Sequence, residues 1–131
     1  GGESPIPGLV AGAQLLERSG ARFIAVPCNT AHLFLPPVRA HLDIPVLDMI
    51  SATVDDLANT MRGATVAVLG TAATARSGMY QGPLEARGLR PITPHHSEQL
   101  TISHAIDAVK RGDTPRAAAA LEPVSRRCQA A

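Results

Sequence analysis

Short apolar runs alternate with longer amphipathic stretches along the chain. Four of these runs predict parallel strands, namely 21–27, 44–49, 64–70 and 89–93. The first and third have the composition of buried strands, and the proline of the fourth indicates an edge strand or a strand end. The stretches around these runs show helical periodicity, and we expect helices over 7–19, 51–62, 74–87, 97–111 and from Thr114 onward. The stretch 29–41 should be helical in part, because Pro36 and Pro37 break or restart the helix. This alternation predicts an α/β fold in which helices cover both faces of a parallel sheet.

Polar residues and turn formers indicate where the predicted helices begin and break. We expect Ser51 or Thr53 to cap the helix after the second strand, and Ser97 to cap the helix after the fourth. The helical pattern over 74–87 should be interrupted near the Gly-Pro pair at 82–83, because both residues disfavour a helix interior.

Composition and charge exclude several functional classes. A formal net charge of +1 gives no electrostatic case for binding nucleic acid or a membrane surface. No apolar segment approaches the ~20 residues that span a bilayer. The two cysteines lie a hundred positions apart and make no disulfide framework, so we expect a cytoplasmic protein. No carboxylate or cysteine completes a metal site with His95, His96 and His104, and we expect none.

The stretch VPCNTAHLF, residues 26–34, places a cysteine where the first predicted strand gives way to a helix. In open parallel sheets, ligands bind beyond the carboxyl ends of the strands. Free N–H groups at the start of a helix would stabilise the thiolate of Cys28. Asn29 and Thr30 add an amide and a hydroxyl that can hold a carboxylate. From these residues alone, a packing cysteine with local capping residues explains the pattern equally well.

The third predicted strand ends in a similar way, because ATVAVLG runs into Thr71-Ala72-Ala73-Thr74. The glycine permits a tight turn, and the two hydroxyls with nearby amides can hold a second anionic group. Capping of the next helix by Thr71 or Thr74 is the more common use of such residues. The glycine pattern of a dinucleotide site and the lysine of a phosphate-binding loop are both missing, so we expect neither.

Four blocks in this order, PCNTAH, IPVLDMI, GTAATARSGMY and AIDAVKRG, resemble the aspartate/glutamate racemase superfamily and most of all its aspartate racemase branch. The resemblance implies two similar parallel-sheet lobes with the site between them, residues 1–49 forming part of the first and 50–131 most of the second. It also implies racemisation of aspartate or a related acidic amino acid without pyridoxal phosphate or any other cofactor. In such a reaction one cysteine removes the α-proton and another returns a proton to the opposite face.

The resemblance assigns roles to residues of the first lobe. Cys28 matches the first catalytic cysteine, and Asn29 and Thr30 match the residues beside it that hold the α-carboxylate. His32 follows in the same block, where the resemblance implies a supporting group near Cys28. The substrate implied is a small dicarboxylate or amino acid, and the resemblance allows a homodimer.

In the second lobe, Thr71 and Thr74 match positions that line the site. Lys110 matches the position of a basic residue that binds a substrate carboxylate, although a solvated lysine at a helix end is the alternative. The chain also departs from the family, because the G-C-T-E block that carries the second cysteine does not occur in it. Cys128 lies in the basic stretch SRRCQAA, which we expect to be helical and not catalytic.

We therefore expect the middle of a racemase, without the family's first strand and its second cysteine. Two alternatives within the superfamily remain open, a hydantoin racemase and a maleate isomerase relative. A third alternative lies outside catalysis, a small-anion-binding remnant that keeps the carboxylate-binding residues without an acid–base pair.

Overall fold

The computed structural model describes residues 3–130 and divides into two compact units, with the boundary after Thr53. We call the part up to Thr53 unit 1 and the part from Val54 onward unit 2. Both contain helices and parallel-paired extended segments. The structure thus confirms the predicted α/β class.

Unit 1 begins with helix α1, Ile6–Arg18, which ends where Gly20 adopts a φ of +91°. A short 3₁₀ helix, Thr30–Phe34, leads directly into α2, Leu35–Arg39. Helix α3, Met49–Thr60, starts near the end of the unit.

The two predicted strands of unit 1 meet in one parallel bridge, between Ile24 and Val46. The Ile24 N–H donates to the Pro45 carbonyl at 2.9 Å, and the Leu47 N–H donates to the Ile24 carbonyl at 2.8 Å. The parallel direction predicted from the sequence is confirmed, although the regular pairing is shorter than the apolar runs. The bridge lies in the unit's hydrophobic core, whose buried members are Ala13, Ile24 and Val38.

Between residues 54 and 130, unit 2 contains two strands, β1, Thr65–Ala67, and β2, Arg90–Ile92, which pair in parallel with Thr65 opposite Arg90. Its helices are α4, Ala72–Ser77, α5, Gln81–Ala86, α6, His96–Lys110, and α7, Thr114–Gln129. One core cluster is formed by the buried side chains of Val54, Val68, Leu84 and Leu89. A second, built from small alanine side chains, joins α6 to α7.

Two of the predicted caps are wrong. Helix α3 starts two residues before Ser51, because the Asp48 carboxylate accepts the Ser51 N–H at 3.0 Å. An aspartate at this position satisfies the free N–H groups of the first turn. Helix α6 starts before Ser97, and the Glu98 carboxylate accepts the His95 N–H at 2.7 Å.

The predicted break within 74–87 lies at a different glycine. Helix α4 ends at Gly78, which has a φ of +69°, and α5 starts at Gln81. The Gly82-Pro83 pair lies inside the first turn of α5. Proline is tolerated there because the first N–H groups of a helix have no intrahelical partner. The predicted interruption of the helical pattern is therefore confirmed, although it lies before the Gly-Pro pair and is caused by Gly78.

Candidate active site

Cys28 is an exposed, unbridged cysteine four residues after the Ile24 bridge. Its N–H donates to the Val26 carbonyl at 2.8 Å, which turns the chain away from the extended direction. The 3₁₀ helix begins two residues later, at Thr30. The sequence predicted a strand-to-helix junction at this cysteine, and the structure has one, with a 3₁₀ helix as the first element.

Asn29 and Thr30 follow Cys28 at the start of the 3₁₀ helix. Asn29 has helical backbone angles, and both residues are half-buried. An amide, a hydroxyl and a thiol thus lie on three consecutive residues at this junction. Their roles in holding a carboxylate stay predictions.

His32 joins the junction at Cys28 to the start of helix α3. Its Nδ1 lies 2.9 Å from the Cys28 carbonyl oxygen, and its Nε2 lies 3.3 Å from the backbone nitrogen of Met49. The imidazole is half-buried. The support near Cys28 that the family resemblance implied for His32 therefore takes the form of two backbone contacts.

Asp48 completes the start of α3 and was not singled out by the sequence analysis. Its Oδ2 lies 3.2 Å from Nη2 of Arg39, which also approaches the Val46 carbonyl. The Ser51 N–H holds the pKa of the Asp48 carboxyl below its usual range against the opposing effect of burial, and the Arg39 guanidinium lowers that pKa further. An aspartate directly before a helical pattern is a capping signal, and that signal was available in the sequence.

In unit 2, the loop after β1 brings Thr71 and Thr74 together. The Thr71 hydroxyl accepts the Thr74 N–H at 3.2 Å and lies 3.1 Å from the Thr74 hydroxyl. Thr71 thus caps α4, as the alternative reading of this loop anticipated. Thr74 is only 2% exposed. A contribution of either hydroxyl to substrate binding stays a prediction.

The same loop is held by a contact that sequence reasoning missed. The Gln99 amide on α6 donates to the Gly70 carbonyl at 2.9 Å. Gly70 is also tightly packed, since a Cβ atom there would lie 3.2 Å from Cγ2 of Thr74. The two contacts fix the backbone of the loop. Sequence reasoning missed the contact with Gln99 because the two residues are 29 positions apart and no local pattern predicts their pairing.

Lys110 is the last residue of α6, and its side chain is 71% exposed. Its Nζ lies 3.9 Å from a carboxylate oxygen of Asp107. Since Gln99 precedes it by eleven residues on the same helix, Lys110 lies about 16 Å further along the axis than the contact with Gly70. Within unit 2, the structure therefore does not bring Lys110 to Thr71. Its predicted role toward a carboxylate rests on the sequence.

Cys128 lies on helix α7, as predicted for the stretch that contains it. It is partly buried, and Nη2 of Arg127 lies 3.5 Å from its sulfur. Arg127 also pairs with Glu98. That guanidinium, together with the His95 N–H, holds the pKa of the Glu98 carboxyl below its usual range. Cys128 faces the strands of unit 2, since Thr65, Ala67 and Arg90 line the same hollow, and it lies on a helix, whereas Cys28 lies at the end of an extended segment.

An apolar hollow of about 250 Å³ lies in unit 1, beside the parallel bridge between Ile24 and Val46. Only apolar residues line it, among them Leu9, Leu16, Ile24 and Val38. It offers no cation or hydroxyl to an acidic ligand, so we do not place the candidate site there.

Between residues 3 and 130, the structure has no group of three metal-ligating side chains. Within the same range, none of the helices is both long enough and apolar enough to cross a bilayer.

The whole chain, residues 1–131, matches the model of the Asp/Glu/Hydantoin racemase family. The chain belongs to this family. This match confirms the resemblance stated from the four sequence blocks, and it fits the parallel α/β units and the cysteine at the end of an extended segment.

Individual relatives support the same assignment. The chain is 34% identical over 103 residues to the broad specificity amino-acid racemase RacX of Bacillus subtilis, covering 79% of this chain and 44% of RacX. It is 38% identical over 102 residues to the glutamate racemase of Corynebacterium glutamicum, covering 77% of this chain and 35% of that protein. The solved structure of Picrophilus torridus aspartate racemase matches with a TM-score of 0.82 at 29% identity, covering 98% of this chain and 53% of that one. The chain thus spans about half the length of these racemases or less.

Proposed function

We propose that this chain is part of an amino-acid racemase that acts on aspartate or a related acidic amino acid without pyridoxal phosphate. In this proposal, Cys28 is the catalytic acid–base on one face of the substrate. The observation that carries the proposal is the exposed thiol of Cys28, which directly follows a core segment in a chain of the racemase family.

The chemistry of a thiol suits this reaction. A thiolate is the reactive form of cysteine, and it can accept a proton from carbon without a metal or a cofactor. The Cys28 thiolate would take the α-proton, and the electron pair of the broken C–H bond would stay on the α-carbon. A thiol on the opposite face would then give its proton to that carbon and become a thiolate. One proton leaves the substrate and one enters it, so the product is the mirror image.

Binding of the α-carboxylate is proposed for the residues beside Cys28. Asn29 and Thr30 offer an amide and a hydroxyl immediately after the thiol. Hydrogen bonds to a charged carboxylate contribute about 1.5–3 kcal/mol each. Such bonds would also stabilise the negative charge that develops next to the carboxylate when the α-proton leaves.

Recognition of the substrate's second carboxylate is proposed for Lys110. Thr71 and Thr74 are proposed to line another part of the substrate site, through the loop that their hydroxyls close. Lys110 is a highly exposed cation whose Asp107 partner lies at 3.9 Å, so little free energy holds it in place. A preference for acidic substrates follows from this cation. The relatives include racemases named for aspartate, for glutamate and for broad specificity, so we propose the substrate only as a class of acidic amino acid.

The second thiol of the reaction is assigned to no residue between 3 and 130, because Cys128 lies on helix α7 and not at the end of an extended segment. We therefore expect the 131 residues by themselves not to interconvert the enantiomers of aspartate. In this proposal the complete reading frame supplies the second thiol.

The proposal is tested by α-proton exchange in the full-length protein. Purified enzyme without added cofactor is incubated in D₂O with each enantiomer of aspartate and of glutamate, and deuterium at the α-carbon and inversion are followed by NMR and chiral chromatography. We expect inversion with α-deuteration, and Cys28→Ser should lower the rate at least about 100-fold. Cys128→Ser is the matched control and should retain the rate. Absence of turnover on both amino acids, or an unchanged rate in Cys28→Ser, contradicts the proposal.

A further inference from the structure

The hydrogen bonds of His32 fix its tautomer. A backbone N–H can only donate, so the contact from Met49 makes Nε2 of the imidazole an acceptor. A neutral imidazole carries its proton on the other nitrogen. Nδ1 therefore carries the proton and donates it to the Cys28 carbonyl at 2.9 Å. Both ring nitrogens are engaged with backbone groups.

This imidazole links the ends of two neighbouring parallel segments. Cys28 follows the segment that contains Ile24, and Met49 follows the segment that contains Val46. The two segments form the only pairing described in unit 1 for residues 3–53. His32 thus ties the residue that bears the thiol to the first residue of α3.

The Met49 side of this link is itself anchored. Asp48 accepts the Ser51 N–H at 3.0 Å and pairs with Arg39 at 3.2 Å, which fixes the first turn of α3. On the other side, the Cys28 N–H is bound to the Val26 carbonyl. With its carbonyl held by His32, Cys28 has both of its own backbone polar groups engaged. The direction in which its side chain leaves the backbone is then set by fixed contacts.

We infer that His32 is a positioning residue for Cys28, and that it acts by donating from Nδ1 to the Cys28 carbonyl. This inference rests on the proposed function for its effect on catalysis. His32 itself transfers no proton to or from the substrate, because each ring nitrogen already has a backbone partner. A misplaced acid–base group slows proton transfer strongly while leaving substrate binding almost unchanged.

Two substitutions separate the two ends of the imidazole. The amide of asparagine can replace Nδ1, so His32→Asn retains a donor for the Cys28 carbonyl and loses the acceptor for Met49. The longer glutamine places its amide oxygen near the position of Nε2, so His32→Gln retains the acceptor for Met49 and loses the donor for Cys28. Both variants therefore carry an amide at position 32, but each retains only the contact that the other loses.

The experiment compares both variants with wild type in the full-length protein. We expect His32→Gln to lower kcat for racemisation about 100-fold with KM within about threefold, and His32→Asn to retain most of kcat. Hydrogen exchange at the Met49 amide should be faster in His32→Asn and close to wild type in His32→Gln. Thermal unfolding of each variant shows that it is folded.

Equal loss of kcat in both variants, or no loss in either, overturns the inference. So does a Met49 amide whose exchange is the same in all three proteins. If the wild-type protein shows no racemase activity, the proposed function fails by itself. The contacts of His32 are then still tested by the Met49 exchange and by the rate at which iodoacetamide alkylates Cys28, which should change in His32→Gln and not in His32→Asn.

Discussion

The two units each place polar residues where an extended segment gives way to a short helix, yet they use them differently. At the junction in unit 1, Cys28 is exposed and its backbone is held by His32, a side chain from the following helix. At the junction in unit 2, the Thr71 hydroxyl caps α4 and Thr74 is buried against Gly70. The first arrangement leaves a reactive group accessible, whereas the second uses its hydroxyls to close the loop. The junction between an extended segment and the next helix can therefore expose a reactive side chain, or it can use its polar side chains to cap that helix.

The largest effect on stability is expected at the closed junction. A Cβ at Gly70 would lie 3.2 Å from Cγ2 and 3.3 Å from Cβ of Thr74, which is held by its contacts to Thr71 and cannot move aside. Gly70→Ala should lower the free energy of unfolding by about 1–3 kcal/mol, measured by urea denaturation of the full-length protein.

Gly82→Ala is the matched control, because Gly82 has open space around its Cα and lies in helix α5. It should raise the free energy of unfolding by about 0.5–1 kcal/mol. Adding Thr74→Ser to Gly70→Ala removes the crowding methyl group and should recover part of the loss. Identical effects of the two alanine substitutions would show that the loop after β1 is not tightly closed.

A smaller effect, on ligand binding, is expected at Lys110. Calorimetric titration of the full-length protein with aspartate or malate should show about tenfold weaker binding for Lys110→Ala, which corresponds to about 1.4 kcal/mol. Arg126→Ala is the control, because Arg126 is also an exposed helical cation, paired within its helix to Glu122. It should leave the affinity unchanged. Equal affinities for both variants would remove Lys110 from substrate recognition and leave Cys28 with its neighbours as the proposed site.

Much of the fold could be predicted because apolar runs and helical periodicity reflect burial directly. The parallel direction of both pairings follows from the helices between the segments. The caps were harder, because several polar residues near one helix start compete for the same N–H groups. Asp48, and not Ser51, caps α3, although Asp48 lies in the run 44–49 that the sequence analysis assigned to a strand. Gly78, at positive φ, ended α4 ahead of the Gly-Pro pair.

The residues of the candidate site were easier to name than their contacts. Cys28, Asn29 and Thr30 are adjacent in the sequence, so their proximity needs no tertiary structure. The contacts of His32 and Gln99 depend on groups 17 and 29 residues away, and no local pattern encodes them. The capping of α4 by Thr71 was anticipated as one of two uses of the hydroxyl.

The central claim is that Cys28 is the reactive thiol of a substrate site, and alkylation of the full-length protein tests it most directly. Folded protein is treated with iodoacetamide at neutral pH, with and without saturating aspartate, and modification of each cysteine is followed by mass spectrometry. Cys28 should react roughly tenfold or more faster than Cys128, because it is exposed whereas Cys128 is partly buried on α7. Aspartate should slow the modification of Cys28 and leave that of Cys128 unchanged. A Cys28 that reacts no faster than Cys128, or that aspartate fails to protect, would contradict the claim.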